Sequence, residues 1–408
     1  MTDAQPLVYN PFEEGYFDDP YAQFAKLRDL DPVHATLDGN WMLFRYDDVF
    51  RVLRDPSLSV DDRNIAASTK GQQLTEILGD RAERGERSML GLDPPDHDRL
   101  RRLVSKAFTP RAVEALRPRV QELVDAALDR VEPTGRIDLI ADLAFPLPFQ
   151  VISEMLGMPE GDMIQIRDWS NAMVKSLDPI ISDDEILAAD ASSTAMVAYL
   201  EEVIAWKREH PADDMLTDLI RAEEDGDRLS TGELVAQVVL LFVAGHETTV
   251  NLIGNGTRAL LRHRDQWDRL VADPSLIDAG IDELLRFDPP VQISRRIAVA
   301  DLEVGGRQIA AGSFMACMLA SANHDPAKFG PTAAELDLTR ESAGQHLSFG
   351  SGGHYCLGAS LAKLEGQVAI GTFVSRFPEA ELVDAGPVWN GRINLRGLAE
   401  LPIDLGLG

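Results

Sequence analysis

The chain has 408 residues, 45% of them hydrophobic, and a formal net charge of −28. That is ample material for a large core, while so acidic a surface repels phosphates and excludes nucleic acid as a partner. Its two cysteines, Cys317 and Cys356, can neither build a disulfide framework nor hold an iron–sulfur cluster of the four-Cys type, and such sparing use suits a reducing compartment.

The first forty residues are polar, acidic and punctuated by proline, without the basic and apolar regions of a signal peptide, so a cytoplasmic protein is expected. Val33 to Arg45 alternates around Asp38-Gly39, a hairpin signal. Residues 63 to 93 are polar and poorly periodic, which predicts a long loop with one short helix. Residues 99 to 111 then hold Arg99, Arg101, Arg102, Lys106 and Arg111 and no acid. Composition alone allows a solvated helix face or a basic island for anionic partners.

Val113 to Val131 and Pro148 to Leu156 carry apolar residues at helical spacing. Ile164 to Leu177 and Ala188 to Arg208 predict two helices joined by an acidic, Pro-containing turn. Ser230 and Glu233 fit a capping box that opens a long helix running to about His263. Its apolar stretch, Leu234 to Ala244, contains Gln237 and is too short to cross a bilayer, so no membrane anchor is expected. Ile277 to Phe287 predicts another helix, stopped by Pro289-Pro290. Strand signals cluster from Ile293 to Ala320 around a Gly305-Gly306 turn and return near residues 381–404. The fold class is mainly α with small β-sheets.

Ala244-Gly245-His246-Glu247-Thr248-Thr249 interrupts the long helix with residues that disfavour a helix interior. Thr248 can bond back to the carbonyl four residues earlier, at Ala244, and bend the helix. Further on, Phe349-Gly350-Ser351-Gly352-Gly353-His354-Tyr355-Cys356-Leu357-Gly358 places a cysteine in a glycine-rich loop just before a helix-like run from Ala359. Glycines let backbone approach a flat ligand closely. N–H groups at Leu357 and Gly358 can donate to the Cys356 sulfur and tune a metal–thiolate. A thiolate here can serve as an axial ligand to haem iron.

The loop resembles the haem-binding loop of the cytochrome P450 family, F-G-x-G-x-H-x-C-x-G, at all six specified positions. With residue usages of a few per cent each, chance accounts for this on the order of once in 10⁶ such chains. The resemblance makes Cys356 the proximal ligand of haem b (iron protoporphyrin IX), surrounded by Phe349, Gly350 and Gly358, with His354 at a propionate. Residues 244–249 resemble the family's A-G-x-[DE]-T-T motif. That implies Ala244 beside the haem, Thr248 as the hydroxyl serving dioxygen activation, and Glu247 as the acid relaying protons; His246 faces away. The run from His97 to Pro110 resembles H-x-x-x-R-x-L-V-x-x-A-F-T-P, which gives His97 and Arg101 to a propionate. Arg296 resembles the strand arginine for the other propionate, with adjacent Arg295 as a competitor. Glu283 and Arg286 match E-x-x-R, and Arg340 the meander arginine; all three are expected to be structural, bonded to one another and to the loop backbone near the haem.

The family resemblance implies a single triangular-prism domain over residues 1–408, and a soluble bacterial monooxygenase that inserts one oxygen atom from O2 into a small hydrophobic substrate: a steroid, terpenoid, fatty acid or polyketide. Electrons would come from a ferredoxin and its NAD(P)H-dependent reductase, and the protein would be a monomer. The corresponding pocket residues are Met89, Leu90, Leu240, Leu241, Ala244, Val291, Gln292, Ile293, Ile393 and Leu395. A peroxide-driven peroxygenase would not need Glu247 and Thr248, and a haem sensor without turnover would not need the distal kink.

Overall fold

The computed structural model describes residues 7–36, 39–66, 69–83, 86–106, 108–159, 163–224, 227–383 and 387–407. Asp38 of the expected hairpin turn and Ala107 of the basic run lie outside the described residues. The strands of that hairpin, Val33–Ala35 and Trp41–Leu43, pair antiparallel with Val33 opposite Leu43. Trp41–Leu43 then pairs in parallel with Phe314–Met318, which pairs antiparallel with Ile293–Ile297 to complete a four-stranded sheet. Smaller ribbons form at Leu302–Val304 with Arg307–Ile309 and near the C-terminus.

Helices build the rest. The polar stretch after residue 63 holds Thr69–Leu78 and short 3₁₀ turns, among them Met89–Gly91. The predicted turn between the two middle helices, with Asp178 and Pro179, joins Met163–Lys175 to Asp183–Glu209, but the acidic residues from Asp183 on start the second helix, earlier than the expected Ala188. Ser182 and Glu185 close a capping box there, and Asp183, Asp184 and Glu185 complement the positive end of the helix dipole. A second capping box, Ser230 with Glu233, opens Thr231–Gly245; the chain breaks at His246 and resumes as Glu247–Arg262.

Taken together, residues 231–262 are long and apolar enough to cross a membrane, with a mean hydropathy of 1.3, but 61% of the most apolar window is buried inside the protein. Helix Glu247–Arg262 is wrapped by protein on every side, from Thr249 through Leu260. Helices Ile277–Phe287 and Ala359–Arg376 pack against it. Their approach is close at Gly366, where a Cβ would stand 2.7 Å from the Ile281 side chain and 3.0 Å from that of Leu252.

One buried group at this packing lacks compensation. Glu365 is 1% exposed, and neither of its carboxylate oxygens has a hydrogen-bond partner among the described residues. Burial pushes its pKa up to about 8; the Thr249 hydroxyl opposes the shift but is not in hydrogen-bonding geometry. A carboxyl raised in the folded state keeps its proton while the unfolded chain releases it. Its contribution is therefore complete below about pH 4.5 and is lost as pH rises to about 8. Glu365→Gln should accordingly gain stability relative to the native chain across that window, by up to about 1.4 kcal/mol per pH unit. Urea unfolding at pH 5 and pH 8 checks this; a difference independent of pH would mean that Glu365 is ionised in the fold.

Candidate haem-thiolate site

The site begins with a buried ion pair that shapes its loop. Glu283 and Arg286 lie one turn apart on helix Ile277–Phe287, both fully buried, and Arg286 grips the carboxylate through Nε at 2.7 Å and Nη2 at 2.8 Å. Its other N–H bonds go to the carbonyls of Asn323, Ala333 and Glu335, so all five guanidinium donors are used. Arg340 donates to the same Glu283 at 3.1 Å and to the carbonyls of Phe329, Thr332 and Glu335. Asn323 carries the network onward: it accepts from Leu347 N at 2.7 Å and donates to the Ser348 hydroxyl at 2.8 Å, which in turn donates to Leu285 O.

The cysteine loop starts where that network ends. Gly350 N donates to Leu347 O, and Cys356 N to Phe349 O at 2.9 Å, closing the loop on itself. Gly350 and Gly352 turn it with φ of 70° and 74°. Gly352 is also required for space, since a Cβ would lie 2.8 Å from Leu53 O. The Gly358 N–H, just ahead of helix Ala359–Arg376, donates to the Cys356 sulfur. The thiol is accessible yet surrounded by protein, so it opens onto an interior cleft rather than bulk water. Burial pushes its pKa up; the Gly358 N–H and the Arg101 charge pull it down.

Cationic groups converge beside this loop. Arg101 reaches Tyr355 O at 2.7 Å, and the His97 and His354 rings stand 4.1 Å apart. His97 is buried; its Nδ1 is 2.8 Å from Asp98, and its Nε2 has no partner among the described residues. Arg296 is buried and bonds only to carbonyls, of Arg295 at 2.6 Å and Leu53 at 2.8 Å. Burial, then the charges of His97, Arg296 and Arg101, push the His354 pKa down to about 3. Strand alternation separates Arg296 from Arg295, which points outward to Asp62 at 2.9 Å.

The other expected element of the site is the break in the long helix. The Thr248 hydroxyl donates to Ala244 O at 3.0 Å, and Ala244, in the last turn of helix Thr231–Gly245, is exposed. His246 is fully buried between the edges of Phe145 and Phe149, with Nδ1 donating to Phe242 O at 2.8 Å. Glu247 is buried and paired with Arg392 at 2.5 Å.

Among the apolar candidates, Leu90 is exposed, Leu240, Val291 and Ile293 are half-buried, and Met89, Leu241, Ile393 and Leu395 are buried. Met89 N is tied to Gln237 Oε1 at 3.0 Å, and Leu395 bridges Val291. Gln292 turns its side chain inward, bonding Pro289 O at 2.6 Å. Asn323, Ser348 and Arg392 escape sequence reasoning because each acts through a partner distant in the chain, and Glu365 because it is buried by helices distant in the chain.

A thiol accessible yet surrounded by protein, an exposed alanine at the break in the long helix, and four basic groups gathered together, with Asp98 at His97 and the charge of Asp93 nearby, are what an apolar macrocycle with two carboxylates and a metal needs. The residues fit haem. The chain belongs to the cytochrome P450 family, whose model matches residues 68–388. It is 42% identical over 415 residues to cytochrome P450 monooxygenase PikC of Streptomyces venezuelae, covering 98% of this chain and 95% of that one. It is 40% identical over 413 residues to vitamin D(3) 25-hydroxylase of Pseudonocardia autotrophica, covering 100% and 98%. The solved structure of PksS, the cytochrome P450 of the bacillaene polyketide synthase of Bacillus subtilis, superposes with a TM-score of 0.87 at 35% identity, covering 98% and 100%. The fold is therefore the cytochrome P450 fold, the cofactor is haem b, and the chain is a monooxygenase.

Arg296 tests the cationic cluster. Arg296→Leu, close in volume but uncharged, should lower the haem retained on purification and speed its transfer to apomyoglobin by about tenfold, as expected for one lost charge-assisted contact. Unaltered retention would detach Arg296 from the propionates.

Proposed function

We propose that this monooxygenase hydroxylates a hydrophobic organic molecule in the cytoplasm, using electrons from a ferredoxin and its NAD(P)H-dependent reductase. The observation that carries the site assignment is the convergence of His97, Arg101, Arg296 and His354 on the loop of Cys356, with His97 Nε2 left for an acceptor. In this reading Cys356 holds iron through its sulfur, the Gly358 N–H moderates the thiolate, and the four basic groups bind the propionates. Bound haem supplies dioxygen binding, its reduction and cleavage of the O–O bond. The net change is C–H plus O2, two electrons and two protons to C–OH plus water.

The chain's own contribution is to move those protons and exclude others. Thr248 presents its hydroxyl at the helix break; its one proton is donated to Ala244 O, so its oxygen is left to accept a hydrogen bond, and it passes on a proton only when that back-bond is released. Glu247, next along the helix, is the acid that recharges it. Leu240, Val291, Ile293, Ile393 and Leu395 favour an apolar guest. Two relatives, a vitamin D(3) hydroxylase and a polyketide synthase P450, support the steroid-like and polyketide members of the expected substrate range.

The electron donor is inferred from charge. Arg102, Lys106 and Arg111 are exposed, and Arg54 and Lys328 line a cleft of about 630 Å³ that borders the cysteine loop. On a chain of net charge −28 this basic face suits an acidic ferredoxin.

Cys356→His should abolish the carbon monoxide difference band typical of thiolate-ligated haem; its survival would overturn the ligand. Thr248→Ala should retain haem but divert NAD(P)H electrons from product to hydrogen peroxide, reducing product yield by about tenfold or more. Titration with vitamin D3, testosterone, a macrolactone and palmitic acid, followed by the low- to high-spin shift, should give the first and third the tightest binding.

A further inference from the structure

Helix Glu247–Arg262 carries a polar stripe that the proposed reaction does not explain. Glu247, Asn251, Asn255 and Arg258 recur every three or four residues, which places them along one face. Each meets the same segment, residues 389–397. Glu247 pairs with Arg392, Asn251 touches Gly397, Asn255 Nδ2 donates to Arg396 O at 3.1 Å, and Arg258 lies over the Trp389 ring at 4.7 Å. The fit at Gly397 is so tight that a Cβ there would overlap the Asn251 amide at 1.8 Å.

The same segment reaches the pocket. Asn394 O accepts from Gln292 N at 2.9 Å, and Asn394 Oδ1 accepts from Ile293 N at 3.2 Å. Asn394 N donates to Asp178 Oδ1 at 2.9 Å, beyond helix Met163–Lys175. Ile393 and Leu395 flank this residue, and Leu395 bridges Val291. One short loop thus touches the distal acid, the strand wall of the pocket, and the connection between two helices. The Glu247–Arg392 pair is its outermost tie to helix Glu247–Arg262, and both partners are largely shielded from water, with side chains 9% and 13% exposed.

We propose that Arg392 is a positioning residue for Glu247: it ties the acid to the loop bearing Ile393 and Leu395, so that a change at either end is felt at the other. A guest pressing on Ile393 would then shift the carboxylate that supplies protons, linking proton delivery to pocket occupancy. This rests on the reading of Glu247 as the distal acid.

The test is amide hydrogen exchange at Gln292, Ile293 and Asn394 in haem-loaded protein, compared for the native chain, Glu247→Gln, Arg392→Gln, the double variant and Arg392→Lys. Glu247→Gln and Arg392→Gln should each speed exchange at these amides by about tenfold, and the double variant no more than either alone, since one link is broken in all three. Arg392→Lys keeps the charge and should stay within about twofold of the native rates, whereas mere packing would be served as well by glutamine. Unchanged exchange in Glu247→Gln, or additive effects in the double variant, would overturn the proposal. The carbon monoxide band of the same samples separates the outcomes: its absence from the native protein defeats the haem-thiolate reading, while an intact band with unmoved exchange defeats only the role of Arg392.

Discussion

The ion pair of Glu283 and Arg286 is the constraint from which the site is built. Two opposite charges are held out of water, so each must be fully bonded to be tolerated. Arg286 meets that demand with two donors to Glu283 and three to backbone carbonyls, and Arg340 adds a second cation to the same carboxylate. Loss of one partner would strand a buried charge at a cost of about 3–5 kcal/mol. The pair therefore fixes the irregular chain between residues 323 and 348, which has little regular structure to hold it. Through Asn323 and Ser348 that order passes to the first residues of the cysteine loop.

Charge placement is the second organising fact. The chain is strongly acidic, yet His97, Arg101, Arg296 and His354 gather beside Cys356. Such a cluster repels itself, and burial together with the neighbouring cations drives His354 toward its neutral form against the opposing charge of Asp93. Two propionates would reverse that balance by giving each cation a partner. On the proposed reading, relief of that repulsion and a partner for His97 Nε2 would contribute to haem binding.

The distal side depends on a break in a helix. Gly245 and the Thr248 back-bond open the turn, and His246 anchors it by packing between two phenylalanines. Beyond the break, the polar stripe from Glu247 to Arg258 grips the segment 389–397, so the start of that helix and the loop bearing Ile393 and Leu395 share one support.

Much of this was legible in the sequence because it is local. Helix Ile277–Phe287 has its predicted limits since two prolines stop it, and the Ser230–Glu233 cap and the Thr248 back-bond are contacts within one turn. The motif string from Phe349 to Gly358 placed the cysteine before a helix for the same reason. The acidic residues before Ala188 were misassigned to a turn, because their helix-starting role depends on the Ser182 cap. Tertiary structure alone decided the rest. Arg295 and Arg296 are indistinguishable in sequence, and only the sheet shows which is buried. Glu365 is an ordinary surface residue by composition and becomes neutral only because helices close over it. Arg392 meets Glu247 across 145 residues of chain. Periodicity and caps reach a few residues along the backbone, whereas burial and pairing are set by what folds back from far away.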